Sequence, residues 1–517
     1  MMEPSDPARV SLNSAQLQDR AVKGVAWTML HTVLAVPIIF AVNLLLARVL
    51  EPEGYGRLAY LTSLLAIAGS ILALGLSSAM IQFGAKAHAA GRVSEVRQIL
   101  SASQGFRLLV VAPLLTLLVL WLVDVPVALL VLAVLFGVWV PAALDGATVA
   151  LYIENKSAAG ARVAMLSNVL VQTGVVAAVL WVGTADSVWA ARAVLSAVVI
   201  ALAFLVISPV YRRAVLRPRL PRGFPPGFWR FALPTGAAAL IGELALSRTE
   251  VIFLAWLSTP EQVGLFALAF GVSAHVFGPA HALTGPLIPA VAGLREVGLA
   301  HVRSAFSRTL RAAAVVVAVL SAGALPALTA LVPLLYGHEY SEAAPALLVL
   351  GIAAGLSVIA GPVTAFVMAR LSARRLLMAN LSALGVDVAL ALALIPSLGL
   401  WGAVVANGCA MLVQLAILVE SERRDLGMPA WAVLTMLWPV LIGSIASALT
   451  WWAVSSLHWS PVPTAVVSSG GALLALWVGL RLTNSGLEIE DRDAILRNVS
   501  VRLVPATRWG LDRVTRR

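Results

Sequence analysis

Six charged side chains stand inside stretches of sequence that are otherwise apolar, and their types suggest chemistry. They are Arg48, Asp145, Glu243, Arg248, Glu250 and Asp387. A charge at membrane depth costs about 2.5–3.5 kcal/mol on insertion scales, so each one needs a structural or functional reason. Guanidinium groups bind phosphate oxygens through forked N–H donors, whereas carboxylates bind cations or protons. The expected chemistry is therefore contact with an anion and exchange of a cation.

Arg48 and Arg248 are the candidates for contact with a diphosphate or a sugar, and Asp145 is assigned to the same substrate site. Arg48 lies near the outer end of its apolar segment, where its long side chain can instead extend to the lipid headgroups. Arg248 is nearer to the middle of its segment and has carboxylates at positions −5 and +2. A structural ion pair with Glu243 or Asp387 is the alternative for Arg248.

Oxygen-bearing side chains in the apolar segments form a candidate site for a coupling ion. The set comprises Glu243, Glu250, Asn380 and Asp387. Hard cations prefer such oxygen ligands, and a carboxylate in a medium of low dielectric can carry a proton. A Na⁺ site, a proton-titrating carboxylate and a purely structural role all stay open. Cys and His spacing typical of zinc is absent from the sequence, so no metal cofactor is predicted.

The elements that position these residues must be membrane-spanning helices. Of the 517 residues, 60% are hydrophobic and 12% are charged, whereas soluble domains carry about 25% charged residues. Polar stretches do not exceed about 35 residues, which leaves no room for a separate soluble domain. The single cysteine, Cys409, excludes an intrachain disulfide.

Fourteen apolar segments are long enough to cross a hydrocarbon core, which requires roughly 17–25 residues. They are 22–48, 57–82, 101–123, 127–150, 163–183, 188–210, 231–257, 263–291, 312–336, 345–369, 376–397, 401–419, 431–455 and 462–481. They predict an all-α polytopic membrane protein of about fourteen transmembrane helices.

Lys and Arg collect in alternate loops, as expected when those loops lie in the cytoplasm. Of the 36 Lys and Arg residues, four depart from a single topology, namely Arg48, Arg57, Arg192 and Arg248. Arg107 is assigned to the cytoplasmic end of the third segment. Both termini are predicted to be cytoplasmic. The same rule accounts for the net charge of +11, so nucleic acid is not an expected partner.

A short repeat divides the chain into two lobes. Shifted by 208 positions, P-E-G-Y-G at 52–56 overlies P-E-Q-V-G at 260–264, six segments later. This spacing predicts two six-helix lobes related by a pseudo-twofold axis along the membrane normal, followed by two C-terminal helices. The predicted parts are a cytoplasmic N-terminal segment 1–21, an N-lobe 22–211, a basic cytoplasmic linker 212–230, a C-lobe 231–421, two further helices within 430–482 and a basic cytoplasmic tail 483–517.

Several short motifs follow one another along the chain, and their order is informative. They are G-V-A-W at 24–27, L-A-R-V-L-E-P-E-G-Y-G at 46–56, L-G-L at 74–76, F-A-L-P at 231–234, R-T-E at 248–250, Y-G-H-E-Y at 336–340 and G-L-W-G-A at 399–403. Together they resemble the oligosaccharide flippases of the MOP superfamily (Wzx type), relatives of the lipid II flippase and of the MATE exporters. Where that family often has R-x-D, this chain has a glutamate, Glu250, whose side chain is one methylene longer.

The resemblance implies a function at the bacterial inner membrane. A glycan linked to undecaprenyl or another polyprenyl diphosphate would move from the cytoplasmic to the outer leaflet by alternating access, for cell-surface polysaccharide assembly. In relatives, a sodium site joins helices seven, eleven and twelve, the last of which holds Asn407 here. The resemblance also implies membrane lipids and a polymerase or glycosyltransferase as partners, and Na⁺ or H⁺ as the coupling ion.

Two other functions stay open. A MATE-type antiporter of small molecules would share the fold, although two extra helices and the basic linker count against it. A membrane glycosyltransferase or polymerase needs acidic catalytic loops on the outer face, and here such loops hold about eight residues at most. A Walker A sequence is absent, so ATP does not drive the chain directly. Transport, rather than catalysis, is the expected activity.

Overall fold

The computed structural model describes residues 14–73, 75–154, 156–244, 249–281, 287, 291, 294–295, 297–370, 373–489, 492 and 514–515. Most of the described part is helical, and its sixteen helices are numbered α1 to α16 along the chain. The chain divides into two compact units, Met1–Leu240 (unit 1) and Ile241–Arg517 (unit 2). Most of the predicted tail 483–517 and the first thirteen residues lie outside the described part.

The helices of unit 1 surround an apolar core. They are α1 (Ser14–Ala73), α2 (Leu76–Ala89), α3 (Val93–Leu122), α4 (Val127–Ile153), α5 (Ser157–Trp181), α6 (Ala185–Val206), α7 (Pro209–Val215) and the first part of α8 (Phe228–Glu243). Helix α5 packs against α1 and α6. Met80, Ile99 and Tyr211 belong to the core that α2, α3, α4 and α7 share.

Prolines account for the breaks in three of these helices. Glu51 has φ 57° and ψ 174° and kinks α1, because the proline that follows it disfavours the helical region. Helices α3 and α4 each contain one π-helical turn, Arg107–Val111 and Leu135–Trp139. Pro113 and Pro141 follow these turns and cannot donate to the carbonyl four residues earlier. In both helices the carbonyl group that lacks this donor lies inside the π-helical turn. The wider turn accommodates the loss of the α-helical hydrogen bond.

Unit 2 is built around the long helix α11. Its helices are α9 (Thr249–Leu257), α10 (Pro260–His281), α11 (Leu299–Tyr336), α12 (Ala343–Met368), α13 (Ala373–Leu398), α14 (Leu400–Asp425), α15 (Ala430–Ser455) and α16 (Pro461–Thr483). Helix α11 contacts α12, α15 and α16. The rings of Phe306 and Phe366 meet edge to face in its core, with centroids 5.2 Å apart.

The described residues include 12 helical stretches that are long and apolar enough to cross a membrane. Helix α1 is counted once although it overlaps two of the predicted segments, 22–48 and 57–82. Helices α8 and α9, which overlap the predicted segment 231–257, are each too short to be counted. Each of the fourteen predicted segments therefore overlaps a helix. Large apolar side chains face outwards, among them Trp121 and Trp181, which are 81% and 86% exposed. Such surface is stable only when lipid covers it. The prediction of an all-α polytopic membrane protein is confirmed.

Several helices begin earlier than the predicted segments, and α3 and α11 show the physical reason. Helix α3 begins at Val93 rather than 101, and α11 begins at Leu299 rather than 312. The added turns of α11 bury Val302, Phe306 and Leu310 at intervals of four residues. They are therefore amphipathic, and their arginines lower the mean hydropathy from which the segments were predicted.

Candidate functional site

Three buried polar side chains of unit 2 meet where α9, α13 and α14 pack together. Glu250 of α9, Asp387 of α13 and Asn407 of α14 are each fully buried. The Asn407 Nδ2 atom donates a hydrogen bond to Glu250 Oε1 over 2.5 Å. The carboxyl groups of Glu250 and Asp387 lie close enough to interact electrostatically. These three residues are called the acidic cluster below.

The acidic cluster has more oxygen atoms than the surrounding described residues satisfy. Within that part of the chain, Glu250 Oε2, both carboxyl oxygens of Asp387 and Asn407 Oδ1 have no hydrogen-bond partner. Two neighbouring carboxylates cannot both stay ionised in a low-dielectric interior without a counter-charge. A proton or a bound cation can supply that charge. The ion pair predicted from sequence between Arg248 and Asp387 lies outside the described residues.

The close approach of α13 and α14 depends on Gly402. A Cβ atom at this position would lie 2.6 Å from the carbonyl carbon of Leu394, so a larger residue would force the two helices apart. The chain turns between them at Gly399, which has φ 52°. Gln262 of α10 accepts the Leu400 N–H through Oε1 over 2.8 Å. This hairpin holds the carboxyl group of α13 beside the amide of α14.

A second polar contact joins the same two helices. Gln414 Nε2 donates to Asn380 Oδ1 over 2.8 Å, and both residues are 5% exposed. Asn380 precedes Asp387 by seven residues and Gln414 follows Asn407 by seven, so this contact lies about 10 Å from the acidic cluster along the hairpin. The predicted ion-site residues of α13 and α14 therefore separate into two layers. Gln414 was not predicted, because a single amide side chain near the polar end of a helix does not stand out in the sequence as a candidate site residue.

The remaining residues predicted for the two sites are placed differently. Glu243 is the last residue of α8 and is half-buried. Arg48 is exposed on α1, just before the kink at Glu51. Arg248 lies outside the described residues. The roles predicted for Arg48 and Arg248 in binding the substrate stay predictions.

Asp145 lies in unit 1 and forms an ion pair with Arg107. The Arg107 guanidinium also donates to Ser77 Oγ over 2.8 Å, and Thr148 Oγ1 donates to Asp145 Oδ1 over 2.6 Å. Arg107 is 7% exposed. This site balances one positive with one negative charge, so it differs from the acidic cluster in needing no ion from outside.

The position of Arg107 corrects the assignment made from sequence. The predicted segment began at 101, which placed Arg107 at a cytoplasmic helix end. Helix α3 instead begins at Val93, and Arg107 opens a π-helical turn midway along it and is buried. The polar first turns of α3 hid this part of the helix from a prediction based on hydropathy.

Charged side chains near the end of α14 are paired with one another. Glu422 is fully buried and forms ion pairs with Arg370 and, over 3.6 Å, with Arg295. Asp425 pairs with Arg370 and Arg375. These contacts fasten the ends of α12, α13 and α14 to each other. Some of the loop arginines that the topology predicted are therefore structural as well.

A family model described as "Polysaccharide biosynthesis protein" matches residues 21–293, more than half of the chain. The chain belongs to this family. The match to the polysaccharide biosynthesis family includes unit 1 from residue 21 onward and Glu250, whereas Asp387 and Asn407 lie beyond it. No curated protein matches the sequence significantly.

Solved structures of transporters share the fold of this polysaccharide biosynthesis family member. The lipid II flippase MurJ, in an inward closed conformation, has a TM-score of 0.57 at 13% identity, over 87% of this chain and 99% of its own. An inward-facing multidrug resistance MATE family transporter has a TM-score of 0.59 at 15% identity, over 74% and 94%. A MOP superfamily transporter from Pyrococcus furiosus has a TM-score of 0.55 at 14% identity, over 82% and 99%. The resemblance to MOP-superfamily transporters is confirmed.

Proposed function

We propose that this transporter moves an oligosaccharide linked to undecaprenyl or another polyprenyl diphosphate from the cytoplasmic to the outer leaflet. The observation that carries the proposal is the match to the polysaccharide biosynthesis family over residues 21–293. A polymer built outside the membrane from units made inside requires those units to cross. The fold shared with the lipid II flippase MurJ supports a lipid-linked substrate.

The proposed setting follows from the loop charges. The chain would lie in the bacterial inner membrane with both termini in the cytoplasm. It would receive its substrate from glycosyltransferases and deliver it to a polymerase, since these are the reactions that make and consume a lipid-linked oligosaccharide.

The acidic cluster is the proposed binding site of the coupling ion, H⁺ or Na⁺. A proton would neutralise one of the two carboxyl groups, whereas Na⁺ would be held by the oxygens that lack partners among the described residues, including Asn407 Oδ1. Either ion replaces the repulsion between Glu250 and Asp387 with attraction. The occupied site therefore favours close packing of α9 on the hairpin of α13 and α14. The ion shifts the conformational equilibrium by its difference in affinity for the two states.

Complementation of a strain that lacks its oligosaccharide flippase tests the proposal. The chain should restore surface polysaccharide and remove the lipid-linked intermediates that accumulate inside the cell. Drug efflux without restored polysaccharide would instead identify a MATE-type antiporter. Polymer formed in a strain that lacks the polymerase would identify an enzyme.

A further inference from the structure

Four arginines of unit 1 line one pocket, which the transport mechanism above does not use. The pocket has a volume of about 460 Å³, and its lining includes Arg97 of α3, Arg213 of α7, and Arg217 and Arg219 from the segment that follows α7. Serine, glutamine, alanine and valine complete the lining, which contains no carboxylate. It is called the arginine pocket below.

The chain segment that carries two of these arginines is held in place on α3. The Arg219 N–H donates to the Ser101 carbonyl oxygen over 3.0 Å. A Cβ atom on Gly105 would lie 1.7 Å from the Arg219 carbonyl oxygen, so only glycine permits this contact. Gln98 Nε2 donates to the Gly223 carbonyl oxygen over 2.9 Å. The predicted linker 212–230 is therefore docked on unit 1 and presents its arginines in a defined place.

Buried aromatic residues anchor both ends of that segment. Tyr211, which precedes it, is 2% exposed, and its hydroxyl lies 2.7 Å from His88 Nδ1. Burial and the nearby Glu154 carboxylate raise the pKa of Tyr211 to about 12, so the hydroxyl stays protonated. At the other end the rings of Phe224 and Phe228 stack with centroids 4.5 Å apart. The pocket is therefore built by packing at both ends of the segment.

The arginine pocket carries uncompensated positive charge. Among the described residues, no carboxylate forms an ion pair with Arg97, Arg213, Arg217 or Arg219. Guanidinium groups stay protonated at any physiological pH and match phosphate oxygens with forked donors. Four of them in one pocket repel each other until an anion binds, and a phosphate group can accept from several at once.

Apolar side chains beside the pocket indicate what carries the phosphate. Leu216 and Leu220, which lie next to the pocket residues Arg217 and Arg219 in sequence, are 56% and 61% exposed. A soluble phosphate compound would leave this surface uncovered, whereas a lipid would cover it with its chains.

We propose that the arginine pocket binds the phosphate group of an anionic membrane lipid. The occupied pocket would fix the segment between α7 and α8 to the membrane surface. The inference is independent of the substrate that the protein transports.

Native mass spectrometry of the purified full-length protein tests this inference with phosphatidylglycerol, phosphatidylcholine and inorganic diphosphate as separate probes. The test variant is Arg213→Gln/Arg217→Gln. The matched control, Arg222→Gln/Arg230→Gln, removes the same charge from exposed positions outside the pocket lining. All four side chains are exposed, so the substitutions leave the core unchanged, and a thermal melt of each variant verifies the fold.

Wild type and control should retain phosphatidylglycerol at least about ten-fold more tightly than the test variant, as expected when charge-assisted hydrogen bonds are lost. If diphosphate binds with this dependence on Arg213 and Arg217 while phosphatidylglycerol does not bind, the pocket is a site for a soluble phosphate compound. That result would overturn the proposal that its ligand is a lipid. Equal phosphatidylglycerol binding by wild type and test variant, or equal binding of phosphatidylcholine, would overturn the site itself.

Discussion

Asn407 and Glu250 are joined by a hydrogen bond of 2.5 Å in which the amide donates and the carboxyl group accepts. This contact fixes the orientation of the Asn407 side chain, so its Oδ1 atom is left as an acceptor without a partner in the described part of unit 2. Together with Glu250 Oε2 and both carboxyl oxygens of Asp387, it gives the acidic cluster four acceptor atoms without partners among the described residues. A site with several acceptors and two carboxyl groups is suited to a proton or a cation.

Neutral replacement of the carboxyl groups should uncouple transport from the ion gradient. Asp387→Asn and Glu250→Gln each keep the side-chain shape and remove the charge that the ion must balance. Transport driven by the proton or Na⁺ gradient should fall by at least about ten-fold, equivalent to one lost charged interaction of roughly 1.5 kcal/mol. Gradient-driven uptake in proteoliposomes measures this effect.

The second layer of the same hairpin provides the matched control. Asn380→Leu/Gln414→Leu removes both partners of a hydrogen bond together, which is close to neutral for stability. This variant should keep the ion dependence of wild type. If it loses that dependence as fully as Asp387→Asn does, the effect is a general one of hairpin packing, and the acidic cluster is not the ion site.

Sequence alone went furthest with features that depend on local composition. Glu250 and Asp387 were predicted because each is a charged residue in an apolar segment, and the helices followed from hydropathy. Asn407 was predicted from the resemblance to a family whose members hold a sodium site on the equivalent helix. Arg107 was misplaced because its helix begins with polar turns. The arginine pocket was missed because it depends on a contact between distant parts of the chain, the fit of Arg219 against Gly105.

The ion pair of Arg107 and Asp145 should be a source of stability in unit 1. Asp145→Ala leaves the buried Arg107 without its counter-charge and should destabilise the protein by about 3 kcal/mol, near the lower end for a buried pair because Asp145 keeps some exposure. The double variant Arg107→Met/Asp145→Leu should recover most of that loss. Thermal unfolding in detergent measures both. A single variant as stable as wild type would show that the pair contributes nothing.

Cysteine labelling in whole cells should verify the predicted topology. In a Cys409→Ala background, Glu339→Cys lies on the exposed turn between α11 and α12, and Leu220→Cys lies on the docked segment after α7. An impermeant thiol reagent should modify Glu339→Cys and spare Leu220→Cys. Glu339 is preferable to Gly337, whose φ of 114° disfavours a larger residue. If the reagent modifies Leu220→Cys and not Glu339→Cys, the protein has the opposite orientation in the membrane to the predicted one.

Arg248 should be required for transport, because a diphosphate that crosses a low-dielectric region needs a compensating charge. Arg248→Ala should abolish transport. Arg248→Lys should retain part of it, because lysine keeps the charge but lacks the forked N–H donors of the guanidinium group. Arg48→Ala should have a milder effect. Rates in the complemented flippase-deficient strain measure these differences. If combining Arg248→Ala with Asp387→Asn restores folded yield that Arg248→Ala loses, the arginine is a structural partner of the acidic cluster instead.

The most direct measurement is the rate at which purified protein in liposomes moves a fluorescent polyprenyl-diphosphate oligosaccharide between leaflets, read by its accessibility to an impermeant quencher. Wild-type protein should make nearly all of the labelled lipid accessible, faster than protein-free liposomes do, and an imposed ion gradient should change that rate for wild type but not for Asp387→Asn. A rate equal to that of protein-free liposomes, with the protein folded and inserted, would contradict the proposal that this chain transports a lipid-linked oligosaccharide.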